Sequence, residues 1–249
     1  YYGTDKNVTT PYKFNGTVVT EIFGGAFAHT SVVSVSVSEG VTFIGEGAFT
    51  GSQLLEKITL PSTVTEINDG AFYGCPKLID IKGTAGLKKV GGFAFNDTPW
   101  YDTISDEFAV IGDGILIKYG GAGGNVTIPE GVKCIVSAFR GKTDVTGIEF
   151  GSSVLAEIGY GSFDGCTGLH TVVIPDSVKK IGIGSFANCT SLEEVTLGSG
   201  VTEIGQSAFL SCDAIAKVKY TGSESDWEKL SIGEGNERLT EAKREYGAK

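Results

Sequence analysis

Apolar residues fall in a fixed rhythm along this chain. Leu169, Val172, Ile174, Val178, Ile181, Phe186 and Cys189 are separated by polar or small residues. The same spacing returns at Leu192, Val195, Leu197, Val201, Ile204, Phe209 and Cys212. It also fits Leu55, Ile58, Leu60, Val64, Ile67, Phe72 and Cys75, and then Val32, Val35, Val37, Val41, Ile44 and Phe49, with Ser52 in the cysteine place. Marking the phenylalanines alone gives Phe27, Phe49, Phe72, Phe95, Phe139, Phe163, Phe186 and Phe209, at gaps of 22, 23, 23, 44, 24, 23 and 23 residues. A period near 23 is too short for a helical pair and suits one coil of a solenoid.

Within a coil, Val172-Val173-Ile174 alternates as a strand does. Pro175 follows it, as Pro61 and Pro129 follow their strands; proline cannot donate to a ladder and marks the strand end. Glycines ahead of Phe49 and Phe186 allow tight bends. One coil cannot bury its own apolar side, whereas stacked coils share a core, with strands about 4.8 Å apart.

The phrases VTEINDGAFYGC, VKKIGIGSFANC and VTEIGQSAFLSC, within a frame LxxIxIPxxVxxIGxxAFxxC, resemble the BspA-like leucine-rich repeats of bacterial surface proteins. The resemblance covers the chain from about Val19 to the C-terminus. It implies a leucine-rich repeat solenoid: a right-handed, curved, β-rich stack with short parallel strands and few short helices. It also implies an extracellular or surface-attached protein associated with adhesion, its signal peptide removed.

The gap of 44 residues is not two clean coils. Phe108–Ile111 and Ile115–Tyr119 flank Gly112-Asp113-Gly114, which predicts a β-hairpin with a tight turn. Trp100, Tyr101 and Tyr119 there either cover an edge of the core or form a protruding ridge for a partner. At the C-terminus, Ser223 or Ser225 would cap a short helix carrying Trp227 and Leu230. That stretch resembles the closing segment of such repeat domains, with Trp227, Asn236, Leu239 and Ala242 at matching places. The expected organisation is a single domain: residues 1–18 as an irregular cap or remnant of upstream repeats, 19–220 as repeats with a hairpin insertion at 97–124, and 221–249 as a C-terminal cap.

Composition narrows the reading. The 249 residues contain 37 Gly without collagen spacing and no Met, so a processed or excerpted piece is expected. A net charge of −10 disfavours nucleic acid and anionic membranes as partners. No apolar run reaches the ~18 residues of a membrane span, so membrane insertion is not expected.

Catalytic and metal chemistry find no constellation, and no enzyme or cofactor is expected. His29 and His170 have no second ligand at helical or hairpin spacing. Cys75, Cys166, Cys189 and Cys212 share one repeat position and are expected as buried thiols filling a corner; Cys134 lies off that row. The run Gly120–Asn125 precedes a strand, not the helix a phosphate loop needs.

What remains is the outward side of the strands. It presents Ser34 and Ser36, Lys57 and Thr59, Asp80 and Lys82, Thr127, Thr146 with Gly147 and Glu149, Thr171 and Val173, and Glu194 and Thr196. Threonine is a good strand former, so these residues suit a plain sheet as well as a docking face. Two functions are therefore weighed. One is a monomeric interaction module, adhesin-like, binding a host or bacterial surface protein or a glycan through Lys57, Thr59, Asp80, Lys82, Glu149, Thr171, Val173, Glu194 and Thr196, or through Trp100, Tyr101 and Tyr119. The other is a rigid spacer presenting another domain of a longer surface protein.

Overall fold

A computed structural model describes residues 3–247. The chain forms a β-solenoid of short, mostly parallel strands with few helices. It divides into two compact units. The first runs to Ser105 and takes in Ile111–Ile115; the second comprises Asp106–Val110 and the chain from Leu116 onward.

In the first unit the strands Asn7–Thr9, Ser34–Ser36, Lys57–Thr59 and Asp80–Lys82 lie side by side, all parallel and in register. A second parallel sheet is made of the two-residue strands Glu21–Ile22, Phe43–Ile44, Glu66–Ile67 and Lys89–Val90. The second unit repeats this plan. Gly124–Ile128 pairs with Val145–Phe150, and Thr171–Ile174, Glu194–Leu197, Lys217–Tyr220 and Lys243–Tyr246 form a four-stranded parallel sheet. The residues expected as core in the four quoted coils are all buried, none more than 7% exposed.

The turn around each phenylalanine makes a coil this narrow. Two residues before the Phe and two after it, the backbone is left-handed in all eight turns, at Gly25 and His29, Gly47 and Gly51, Gly70 and Gly74, and so on to Ser207 and Ser211. Each such residue reverses the chain, so the Phe between them points inward. Its N–H then donates to the carbonyl just ahead of the next coil's Phe: Phe49 to Ala71 at 2.7 Å, Phe163 to Ser185 at 2.7 Å, Phe186 to Ala208 at 2.8 Å. The rings stack in columns, 4.9 Å between Phe27 and Phe49 and 5.0 Å between Phe163 and Phe186. Such pairs add about 0.5–1.5 kcal/mol beyond the burial of their area.

The interruption has the predicted strands Phe108–Ile111 and Ile115–Tyr119 as neighbours in one sheet. It also continues the repeat. Tyr119, 24 residues after Phe95 and 20 before Phe139, takes the phenylalanine position. Its N–H donates to Ala138 at 2.9 Å and its ring stacks on Phe139 at 4.7 Å. A tyrosine in place of phenylalanine and an irregular step set this coil apart from the regular phenylalanine spacing.

Asn7–Thr9 is a repeat strand in register with Ser34–Ser36. The frame was obscured because the chain inserts a small hairpin, Lys13–Phe14 against Thr17–Val18, before the coil resumes. At the other end Ser223 caps a helix over Glu224–Trp227 through a capping box with Asp226, and Trp227 is buried while Leu230 lies beyond the helix. The additional strand Lys243–Tyr246 follows a second short helix, Glu237–Glu241.

Asn236 closes the second unit's ladder. Phe209 has no following Phe-centred coil, and its N–H donates to the Asn236 side-chain oxygen at 2.9 Å. The Asn236 amide donates in turn to the carbonyls of Gly205, at 2.9 Å, and Gly233, at 2.7 Å. A side-chain amide thus stands in for a peptide of the next coil, and a buried ladder end keeps its partners.

Candidate functional site

The outward residues are set by strand alternation: with Val172 and Ile174 inward, Thr171 and Val173 must face out. In the first unit Lys57 lies opposite Asp80 and Thr59 opposite Lys82. The Asp80 carboxylate is 3.4 Å from the Lys57 ammonium and 3.8 Å from that of Lys82. These four expected residues are therefore one cluster, in which two lysines share the single Asp80 carboxylate and one positive charge is left over.

In the second unit Thr171 lies opposite Glu194 and Val173 opposite Thr196. Glu149 accepts hydrogen bonds from Asn125 at 2.7 Å and from Thr127 at 3.2 Å. Glu194 is held by Lys219 at 2.6 Å and Lys217 at 3.8 Å. Lys217 also reaches Glu245 at 2.8 Å, and Lys243 approaches Glu245 at 3.8 Å. The hydrogen bond from Lys217 holds the Glu245 carboxyl below the usual carboxylate range. Between these charged groups, Val173 is 60% exposed.

Lys217, Lys219, Lys243 and Glu245 are absent from the residues expected on the face. Lys217 and Lys219 were legible by carrying the repeat frame one coil further, through the alternation of Lys217-Val218-Lys219-Tyr220. Lys243 and Glu245 were not, because no repeat phrase precedes their strand.

Of the two readings of Trp100, Tyr101 and Tyr119, cover for an edge of the core or a protruding ridge, the burial of Tyr119 fits the first. Tyr119 is 2% exposed and its hydroxyl donates to the Ala122 carbonyl. In the first unit Trp100 is half-buried, its ring 4.9 Å from Phe95. Tyr101 is half-buried too, and burial, with a contribution from Asp102, pushes its phenol up to about 12. Stacking on the phenylalanine columns competes with exposure, and for Tyr119 it wins.

The cysteine position is a hydrogen-bonding one. The thiols of Cys75, Cys166, Cys189 and Cys212 donate to the carbonyls of Phe49, Phe139, Phe163 and Phe186, one coil back, at 3.0, 3.2, 3.2 and 3.0 Å. All four are fully buried. Burial pushes the Cys75 thiol up to about 11 and that of Cys166 to about 12. Cys189 is raised further by its hydrogen bond with Cys212, then by burial. These thiols hold the coils together and are poor nucleophiles.

Among the described residues no group of three or more His, Cys, Asp or Glu is placed to hold a metal ion. His29 lies against Gly51, and His170 Nδ1 is 3.8 Å from a Glu193 carboxylate oxygen. No described helix is long and apolar enough to cross a membrane.

Comparison with known proteins supplies the family. The BspA type leucine rich repeat region, in six copies, matches residues 14–115 and 122–231. No curated protein matches the chain. Among solved structures, a leucine rich cell surface protein from Faecalibacterium prausnitzii A2-165 is 21% identical, with a TM-score of 0.44 over 93% of this chain and 92% of that one. The leucine rich repeat protein of T. pallidum is 23% identical, with a TM-score of 0.39 over 100% and 89% of the two chains. A leucine-rich repeat protein from Bacteroides ovatus is 25% identical, with a TM-score of 0.40 over 97% and 66%. The repeat match spans most of the sequence and agrees with the stacked coils, and the chain belongs to the BspA-type leucine-rich repeat family.

Proposed function

We propose that this chain is a non-enzymatic module of a bacterial surface protein, docking a protein partner on the outward sheet face of its second unit. Membership of a leucine-rich repeat family of surface proteins supports an interaction role at the surface. The observation that carries the choice of face is Val173, 60% exposed on the edge strand of a four-stranded parallel sheet, paired in register with the strand beside it. The partner is a host or bacterial surface protein, and the module acts as a monomer in adhesion.

A specific observation favours a second reading, the rigid spacer. The ion pairs among Glu194, Lys217, Lys219, Lys243 and Glu245 link successive coils, as a stiff rod requires. The two readings separate in a pull-down from host-cell surface extracts. A variant carrying Thr171→Ala, Val173→Lys and Thr196→Ala should melt like the parent and lose the captured protein. Capture unchanged by the variant would remove this face from consideration, and no capture by the parent would favour the spacer.

A further inference from the structure

We infer that the partner of this face is an uncharged protein segment with an aliphatic tip, docked around Val173, and that its binding is insensitive to salt. This rests on the reading of the face given above and specifies its chemistry.

Glu194 is engaged by two lysines and Glu245 by two, with Lys217 shared between them. Glu149 is engaged by Asn125 and Thr127. The acidic residues in these columns are three, Glu149, Glu194 and Glu245, and the basic ones are three, Lys217, Lys219 and Lys243, so the face is neutral although the chain carries −10. A charged partner would have to break these pairs to gain new ones, with little net return at an exposed surface. A neutral partner leaves them standing.

The neighbours of Val173 are Thr171 on its own strand, Thr196 opposite it and, in the repeat frame, Glu149. An aliphatic side chain placed there removes apolar area from water on both sides, and the threonine hydroxyls remain for backbone groups of the segment. A glycan is a poorer match. It stacks on exposed aromatic rings, and among the described residues the exposed large aromatics, Tyr12, Phe14, Phe23 and Tyr73, all belong to the first unit.

A displayed library of random peptides, panned on the whole chain, supplies the probe. Selected peptides are measured against the parent and Val173→Lys between about 0.01 and 1 M salt, a range over which screening of exposed charges changes severalfold. Val173→Thr, which keeps a β-branched residue, controls for folding along with the melting curve. The expected result is uncharged peptides with an aliphatic residue, affinities changing less than about twofold with salt, and a loss of about tenfold or more in Val173→Lys. Peptides that are charged and salt-sensitive, yet lost in Val173→Lys, would overturn this inference and leave docking on the face intact. Peptides indifferent to Val173→Lys, or none at all, would overturn both.

Discussion

At the scale of residues, the fold is decided by two left-handed positions and one small hydrogen-bonding position per coil. Gly74 has φ of 65°, and a methyl group there would meet nothing within 4 Å. Any cost of Gly74→Ala is therefore conformational, about 1–2 kcal/mol, and should appear as a lowered denaturation midpoint. Ser211 holds φ of 58° without glycine's freedom and is exposed. Ser211→Gly should stabilise by about 0.5–1 kcal/mol, the left-handed strain relieved less the extra entropy glycine has when unfolded. The cysteine position is equally readable. Ser52 occupies it and donates to the Phe27 carbonyl at 2.6 Å, so Cys189→Ser should be tolerated. Cys189→Val should cost about 1–3 kcal/mol, leaving the buried Phe163 carbonyl without this donor. In native protein, mass spectrometry after iodoacetamide should find one alkylated cysteine, half-buried Cys134, and alkylation of Cys189 without unfolding would contradict the buried column.

At the scale of elements, the ends of the ladder carry the risk, because each leaves groups that a further coil would satisfy. Asn236→Ala removes three hydrogen bonds from a residue that is 3% exposed. A loss of at least about 2 kcal/mol is expected, with early deuterium exchange at the Phe209 amide. Exchange as slow as in the parent would show that another group closes the ladder. The hairpin Phe108–Ile111 and Ile115–Tyr119 was legible from its glycines and alternation, while its role as a coil was not. Tyr119 keeps the backbone bond and ring stacking of a phenylalanine turn, and neither leaves a mark in the order of letters.

At the scale of the molecule, buried thiols make stability depend on pH. An unfolded cysteine ionises near 8.5, whereas native Cys75 and Cys166 hold their protons to about 11 and about 12. Below about pH 8.5 both states carry the same protons and the contribution is complete. Above it the unfolded chain releases protons that the native chain keeps, so stability falls as pH rises toward 11. Melting temperatures measured from neutral to alkaline pH should fall more steeply in the parent than in a variant with the four column cysteines changed to serine. Equal slopes would mean the thiols are not held protonated.

The division between sequence and structure follows from range. Period, strand positions, the inward column and the outward residues Lys57, Thr59, Asp80, Thr171 and Glu194 were determined by sequence, because a repeat imposes one environment on every copy and side-chain alternation needs only local backbone geometry. The neutrality of the second unit's face was settled only by the tertiary structure. It depends on Lys243 and Glu245, brought beside Lys217 by a strand with no repeat phrase of its own. So was the burial of Tyr119, whose ring finds Phe139 across 20 residues of chain. Local pattern says which way a side chain points, and only the folded stack decides what it meets there.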